Sequence, residues 1–394
     1  MGDHSHLRLQ VIVSALVSAS FTNIYITQPI LPVLQGEFSA SPVVVSFTVS
    51  AVILGIALSN LPFGFLADRV PIHPIILTGG ILVASGGLVC ALTKSLWVLI
   101  VARFLQGLFV PALTTCLAAY LARTIPAARL NVVMGSYVSA TVLGGLGGRL
   151  LGGWIHPPLH WRYAFVSASL LLLTATLVAF RGLPRTSPDT GALHESVGLR
   201  DLLTRWDLLR IYLCAAGSFS LFSSVFNYLP FRLTGPPFNF STSLTTFLYL
   251  SYIVGILMGP TAGRLSNLYG SGNALLGGSG VLGTALVLIV LPSVPAVVFG
   301  LLGICAGFFT VHAAAVGALN RRLSGGQGRA NALYVLFYYM GGWVGITGSG
   351  FAYTHGGWNA VVSICALLLL IPVCVGAVER GTRRDRIPVR TGRS

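Results

Sequence analysis

Apolar stretches of about 20 residues, each long enough to cross about 30 Å of hydrocarbon as a helix, follow one another along the chain with short polar breaks between them. They predict helices near 8–34, 42–67, 73–93, 96–121, 130–155 and 161–180, then near 208–233, 242–267, 273–291, 296–320, 329–354 and 357–378. The second set repeats the first. An offset of 200 residues pairs Gly55-Ile56 with Gly255-Ile256, Gly107 with Gly307, Phe109 with Phe309, Arg129-x-Asn131 with Arg329-x-Asn331, and Gly148 with Gly348. One constant offset through several apolar segments indicates duplication, with each half burying surface against the other. The expected fold is an all-α membrane protein of twelve transmembrane helices in two six-helix pseudo-repeats. Residues 1–182 form the first bundle, 183–207 a cytoplasmic linker, 208–380 the second bundle and 381–394 a basic tail.

Composition agrees: 54% of the 394 residues are hydrophobic and 8% charged, against about 25% charged in a soluble domain. The net charge of +15 could suggest nucleic acid, but the arginines sort into alternate loops, which is the positive-inside pattern with both termini cytoplasmic. Outer segments hold only Lys94, Arg162 and Arg232. The expected partner is therefore the lipid bilayer of a bacterial inner membrane, with no nucleic acid, and the expected state is a monomer. The basic tail could touch anionic lipid, although a solvated tail that fixes orientation explains it without a partner. Met1 to Gln10 is polar and no cleavage pattern follows the first apolar run, so the first helix is expected to be retained. Within the linker, Leu199 to Leu209 suits a short amphipathic helix on the cytoplasmic face. The six cysteines all fall in predicted helices without C-x-x-C spacing and read as packing residues. With no G-x-x-x-x-G-K-[ST] loop, energy must come from a gradient or from the solute itself, and no cofactor is expected. The glycines, 47 in all, concentrate inside helices, where small residues let backbones approach closely in lipid.

Three motifs carry a resemblance to a known family. Gly64-Phe65-Leu66-Ala67-Asp68-Arg69 follows the second helix, Arg103-Phe104-Leu105-Gln106-Gly107 lies in the fourth, and a glycine-rich run from Gly135 to Gly153 holding Arg149 forms the fifth. They resemble the G-x-L-A-D-R signature, the R-x-x-Q-G motif and the antiporter helix of the major facilitator superfamily, over nearly the whole chain. The resemblance implies a latch at Gly64, Asp68 and Arg69 that holds the outward-facing state, and an arginine at Arg103 linked to coupling or to substrate anions. The chain departs from the signature at Val70-Pro71-Ile72-His73-Pro74, where a glycine and two basic residues are usual, and the fifth helix lacks the usual Gly-Pro pair. The run Asn23 to Pro32 and the Trp161-Arg162 pair resemble bacterial efflux members.

An arginine at mid-bilayer costs roughly 2.5 to 3.5 kcal/mol, so each one needs a partner or a wet cavity. Arg103 lies about 10 Å inside the outer end of its helix, and Arg149 sits in the outer half of its own. Arg103 suits either a substrate anion or a set of backbone carbonyls; Arg149 suits either a substrate or a path to the outer interface. All nine acids fall in loops, tails or helix ends, and a membrane carboxylate is what exchanges protons in cation exporters. The pattern therefore favours a neutral or anionic, partly apolar solute. His312 could carry a coupling proton or be a packed histidine, and Asp68 and Glu37 are weaker candidates for the same role. Asn23, Tyr25, Gln28, Gln106, Asn227, Tyr228, Tyr249, Tyr252 and Tyr338 are candidate cavity groups or packing residues. The expected function is alternating-access transport of a small-molecule substrate, with proton-coupled efflux by an antiporter first and uncoupled uptake or facilitated diffusion of an organic anion or sugar-like solute second. An enzyme is disfavoured, because no paired acids, metal cluster or nucleophile-base motif occurs at helical spacing.

Overall fold

The computed structural model describes residues 3–185, 198–323 and 326–384. Asp189, Glu195 and Asp385, the body of the linker and the end of the basic tail lie outside the described residues. Every predicted span is helical. The first bundle holds α1 (Asp3–Ile24), α2 (Leu31–Phe38), α3 (Pro42–Arg69), α4 (Ile72–Leu92), α5 (Leu96–Leu113), α6 (Thr115–Thr124), α7 (Ala127–Ile155) and α8 (Trp161–Gly182). After α9 (Leu199–Thr204) the second holds α10 (Trp206–Thr234), α11 (Thr242–Phe247), α12 (Ile253–Tyr269), α13 (Ser271–Val290), α14 (Val294–Asn320) and α15 (Gln327–Arg384). Among the described residues nine helical segments are long and apolar enough to cross a membrane, or ten if the bent α11–α12 segment counts as one span.

Prolines and one glycine explain where spans break or join. Pro29 and Pro32 lack the N–H that would continue α1, so the first span passes through a 3-10 turn at Gln28–Ile30 before α2 resumes. Pro111 precedes the break at Thr114 that separates α5 from α6. Within α15, Gly357 alone has non-helical φ/ψ, with φ of 60°. Gly341 faces Ala216 and Ile371 faces Gly217, so both arms of α15 lie beside one point of α10 and the chain reverses at Gly357.

The two halves use the same pairings. In the first, α1 packs on α7, α3 on α5, and α4 on α5 and α8. In the second, α10 packs on α15, α12 on α14, and α13 on α14 and α15. The first of these contacts is a glycine seam. A Cβ at Gly144, Gly148 or Gly152 would strike the backbone of Ser18, Thr22 or Ile26, the first two one turn apart on α1 and the third in the break just after it. Gly341 and Gly345 meet Ala216 and Ser220 in the same way on α10. Without a hydrophobic drive between helices in lipid, such close backbone approach supplies the packing energy.

Between the halves, α3 and α15 touch along their length. Val43 lies at Gly350, Ile53 at Gly342, and Asn60 Nδ2 donates to the Ala332 carbonyl at 3.4 Å. On the other side the contact is confined to the arginine-poor end. There Gly153 abuts Thr246, the Trp154 indole N–H donates to the Ser243 carbonyl at 3.4 Å, and the Trp154 and Phe247 rings lie 5.1 Å apart. At the same end, α2 and the 3-10 turn pack on α10, and Asn227 Nδ2 donates to Ser46 Oγ at 2.9 Å. The halves are thus closed at the arginine-poor end.

Candidate substrate site

The break after α1 sets up both membrane arginines. With the helix interrupted, the N–H groups of Gln28 and Ile30 turn to Tyr25 and Thr27, in 3-10 fashion. The carbonyls of Asn23 and Ile24 point instead at the Arg103 guanidinium: Nη1 donates to Asn23 at 2.6 Å and Nη2 to Ile24. Arg103 Nε donates to the Thr48 carbonyl at 3.0 Å, and Nη1 also reaches Gln106 Oε1 at 2.7 Å. Gln106 Nε2 in turn donates to the Val83 carbonyl at 2.8 Å. Arg103 is 0% exposed, and every guanidinium nitrogen is engaged. The Arg-x-x-Gln spacing puts both side chains one turn apart on α5, where together they tie α1, α3 and α4 to it. This arginine is held by backbone carbonyls.

Arg149 is 2% exposed and differently held. Its Nε donates to Gln28 Oε1 at 2.7 Å and its Nη1 to the Gly145 carbonyl at 2.7 Å. Its Cζ lies 4.0 Å from the centroid of Tyr25, in the first half, and 4.1 Å from that of Tyr252, in the second, with Tyr249 at 5.6 Å. No ion pair to Arg149 occurs among the described residues. Desolvated cation–π contacts contribute about 2 kcal/mol each, and hydrogen bonds to charge about 1.5 to 3. Together they offset the insertion cost of the guanidinium without a counter-ion. Around it several buried polar atoms lack partners: Gln28 Nε2, the Tyr252 hydroxyl and Thr27 Oγ1, with Thr245 Oγ1 on α11, which packs on the 3-10 turn.

An aromatic wall continues from this pocket into the second half. Phe219, Phe222 and Phe226 follow one face of α10; Phe219 stacks on Tyr338 at 3.7 Å, Phe222 on Phe308 at 4.0 Å, and Phe226 meets Tyr252 at 4.6 Å. His312 stacks on Phe308 at 5.9 Å and its Nδ1 shares a 3.0 Å hydrogen bond with the Tyr334 hydroxyl. His312 and Tyr338 are both partly exposed. Phe219 and Phe222 are not among the residues singled out above, although the three- and four-residue spacing of Phe219, Phe222 and Phe226 is a helical stripe legible in the sequence.

The remaining candidates disperse. Asn227 bridges the halves through Ser46, while the Tyr228 hydroxyl donates to the Ile346 carbonyl at 2.9 Å within the second half. The Tyr249 hydroxyl donates to the Phe226 carbonyl at 3.1 Å. Asn23 is buried and its Nδ2 donates to Ala19. Glu37 caps the outer end of the first half, accepting from Trp161 Nε1 and from Arg162 Nη1, the latter at 2.7 Å. Asp68 is exposed and pairs with Arg123 at 3.7 Å, inside its own half. Arg69 is exposed, and a Cβ on Gly64 would meet open space.

Two pseudo-symmetric helical bundles, closed at one end over a cation–aromatic pocket, have the architecture of a membrane transporter. The profile of the Major Facilitator Superfamily matches residues 13–318, and the chain belongs to that family. It is similar to the inner membrane transport protein YnfM of Escherichia coli (strain K12), with 28% identity over 95% of this chain and 91% of that one. It is also similar to the uncharacterized MFS-type transporter YybF of Bacillus subtilis (strain 168), with 27% identity over 89% and 88%. Among solved structures, a bacterial homolog of the human lysosomal transporter Spinster, inward-facing and unoccupied, shares the fold with a TM-score of 0.80 and 14% identity over 98% and 99% of the two chains. The human organic anion transporter MFSD10 shares it with a TM-score of 0.72 and 18% identity over 94% and 99%.

Proposed function

We propose that this protein is a secondary active transporter that exports a small organic solute, neutral or anionic and partly apolar, across a bacterial inner membrane in exchange for protons. The observation that carries the reading is Arg149, a buried guanidinium held by aromatic faces from both halves and by no carboxylate. An anionic group on the solute can replace the Tyr252 face on the guanidinium, and the Phe219–Phe222–Tyr338 wall suits its apolar part. The arginine-poor closed end is then periplasmic, and the solute enters from the cytoplasm. His312, hydrogen-bonded to Tyr334 and partly exposed, is the group assigned to the coupling proton.

The test uses proteoliposomes with an imposed pH gradient and a panel of matched anionic, neutral and cationic aromatic compounds. Gradient-driven flux of anions or neutral compounds that Arg149→Gln reduces for the anions alone is the expected result; flux of cations alone overturns the assignment. A second reading, uncoupled movement of an organic anion, is favoured by one observation: the described carboxylates near the membrane, Glu37, Asp68, Asp207 and Glu379, all lie at helix ends with basic partners. Flux that follows the solute gradient and ignores pH would select it.

A further inference from the structure

A groove of about 770 Å³ opens between the N-terminal part of α1 and the C-terminal part of α8, away from the site between the halves. Arg8, Val11 and Ile12 line one wall at a spacing of one helical turn; Leu177, Val178 and Arg181 line the other in the same way. Both arginines are exposed, at the ends of their helices that open onto the arginine-rich loops, and neither has a hydrogen-bond or ion-pair partner among the described residues. The apolar side chains lie about 5 Å deeper, one turn along each helix. Gly182 lets the two helix ends approach, since a Cβ there would lie 2.7 Å from Ile12 Cδ1. The groove thus presents two guanidinium groups at its rim and methyl groups beneath them.

We infer that this groove is a binding site for an anionic phospholipid of the inner leaflet, with the phosphate between Arg8 and Arg181 and an acyl chain along Val11, Leu177 and Val178. Charge complementarity selects the occupant: a zwitterionic lipid brings its own cation to the phosphate, whereas an anionic one leaves both guanidinium groups free to pair. A soluble anion would use the rim and leave the apolar walls unfilled. The site is independent of the transported solute, because it faces lipid on the flank of the first half.

The experiment measures thermal unfolding of the purified full-length protein in detergent, titrated with phosphatidylglycerol or phosphatidylcholine, with glycerol phosphate as the soluble control. Phosphatidylglycerol is expected to stabilise the wild type well beyond phosphatidylcholine, with apparent affinity falling about fivefold for each arginine replaced in Arg8→Gln and Arg181→Gln. Val178→Trp, which fills the groove without changing charge, is expected to abolish the preference as well and covers the case in which an arginine variant does not fold. Arg264→Gln, an exposed arginine elsewhere, should leave it intact. Equal stabilisation by both lipids, an equal loss in Arg264→Gln, persistence in Val178→Trp, or full reproduction by glycerol phosphate would each overturn the proposal.

Discussion

The guanidinium of Arg149 lies 4.1 Å from the ring of Tyr252, so a cation from one half of the molecule rests on an aromatic face from the other. The neighbouring Tyr25 face belongs to the same half as Arg149 and stays with it whatever the halves do. The contact with Tyr252 is therefore one that opening of the closed end must break.

Tyr252→Ala should accordingly shift the protein toward the state open at that end, while Tyr252→Phe, which keeps the ring face, should not. Loss of about 1 to 2 kcal/mol corresponds to about a 5- to 30-fold change in the open-to-closed ratio. The labelling rate of Thr246→Cys by a membrane-impermeant thiol reagent, in a background without other cysteines, reads that ratio directly.

Replacement of Arg149 separates charge from shape. Arg149→Gln should weaken an anionic solute about tenfold or more and leave a neutral analogue of the same shape nearly unchanged. Arg149→Lys should recover only part of the loss, because an ammonium does not lie flat between two rings. Binding measured by solute-induced thermal stabilisation checks both.

Arg103 should behave otherwise. Arg103→Gln leaves the Asn23, Ile24 and Thr48 carbonyls short of a buried donor, and at about 1 to 3 kcal/mol for each unsatisfied group the expected result is a large fall in thermal stability with no change in solute charge preference. A variant of normal stability that has lost anion selectivity would place Arg103 in the binding site instead.

His312→Ala should leave solute binding in place and remove the dependence of flux on an imposed pH gradient. Tyr334→Phe, which deletes the hydroxyl that meets His312 Nδ1, should have a weaker effect in the same direction. Counterflow exchange at fixed pH measures the part of transport that neither change should touch.

Gly148 and Gly348 occupy equivalent places in the repeat yet should respond differently to alanine. A Cβ at Gly148 would collide with the Thr22 backbone, whereas one at Gly348 meets nothing within 4 Å. Gly148→Ala should cost about 1 to 3 kcal/mol of stability and Gly348→Ala close to none, as read by denaturation of the purified protein.

That pair also shows what the sequence reveals. Membrane spans are legible because each must bury some 20 residues in hydrocarbon whatever it packs against, and every span expected from the apolar runs is helical here. Which face of a glycine touches a neighbour depends on the crossing of two helices, and the repeat of 200 residues carries no information on it. The two roles open to Arg103 were separable only by seeing where α1 breaks, since Pro29 and Pro32 redirect the carbonyls that hold the guanidinium. For Arg149, the motif placed the charge in α7, but its decisive partner, Tyr252, comes from the other half and from more than 100 residues further along the chain.

The seam between α3 and α15, from Val43 and Gly350 to Asn60 and Ala332, behaves as the spine of a book. Contact along the whole of α3 and α15 limits how far those two helices can part, whereas α7 meets the second half at one end only and is free to separate there. A covalent staple between positions 60 and 332 would therefore let the pages turn, whereas one between positions 153 and 246 would bind the volume shut.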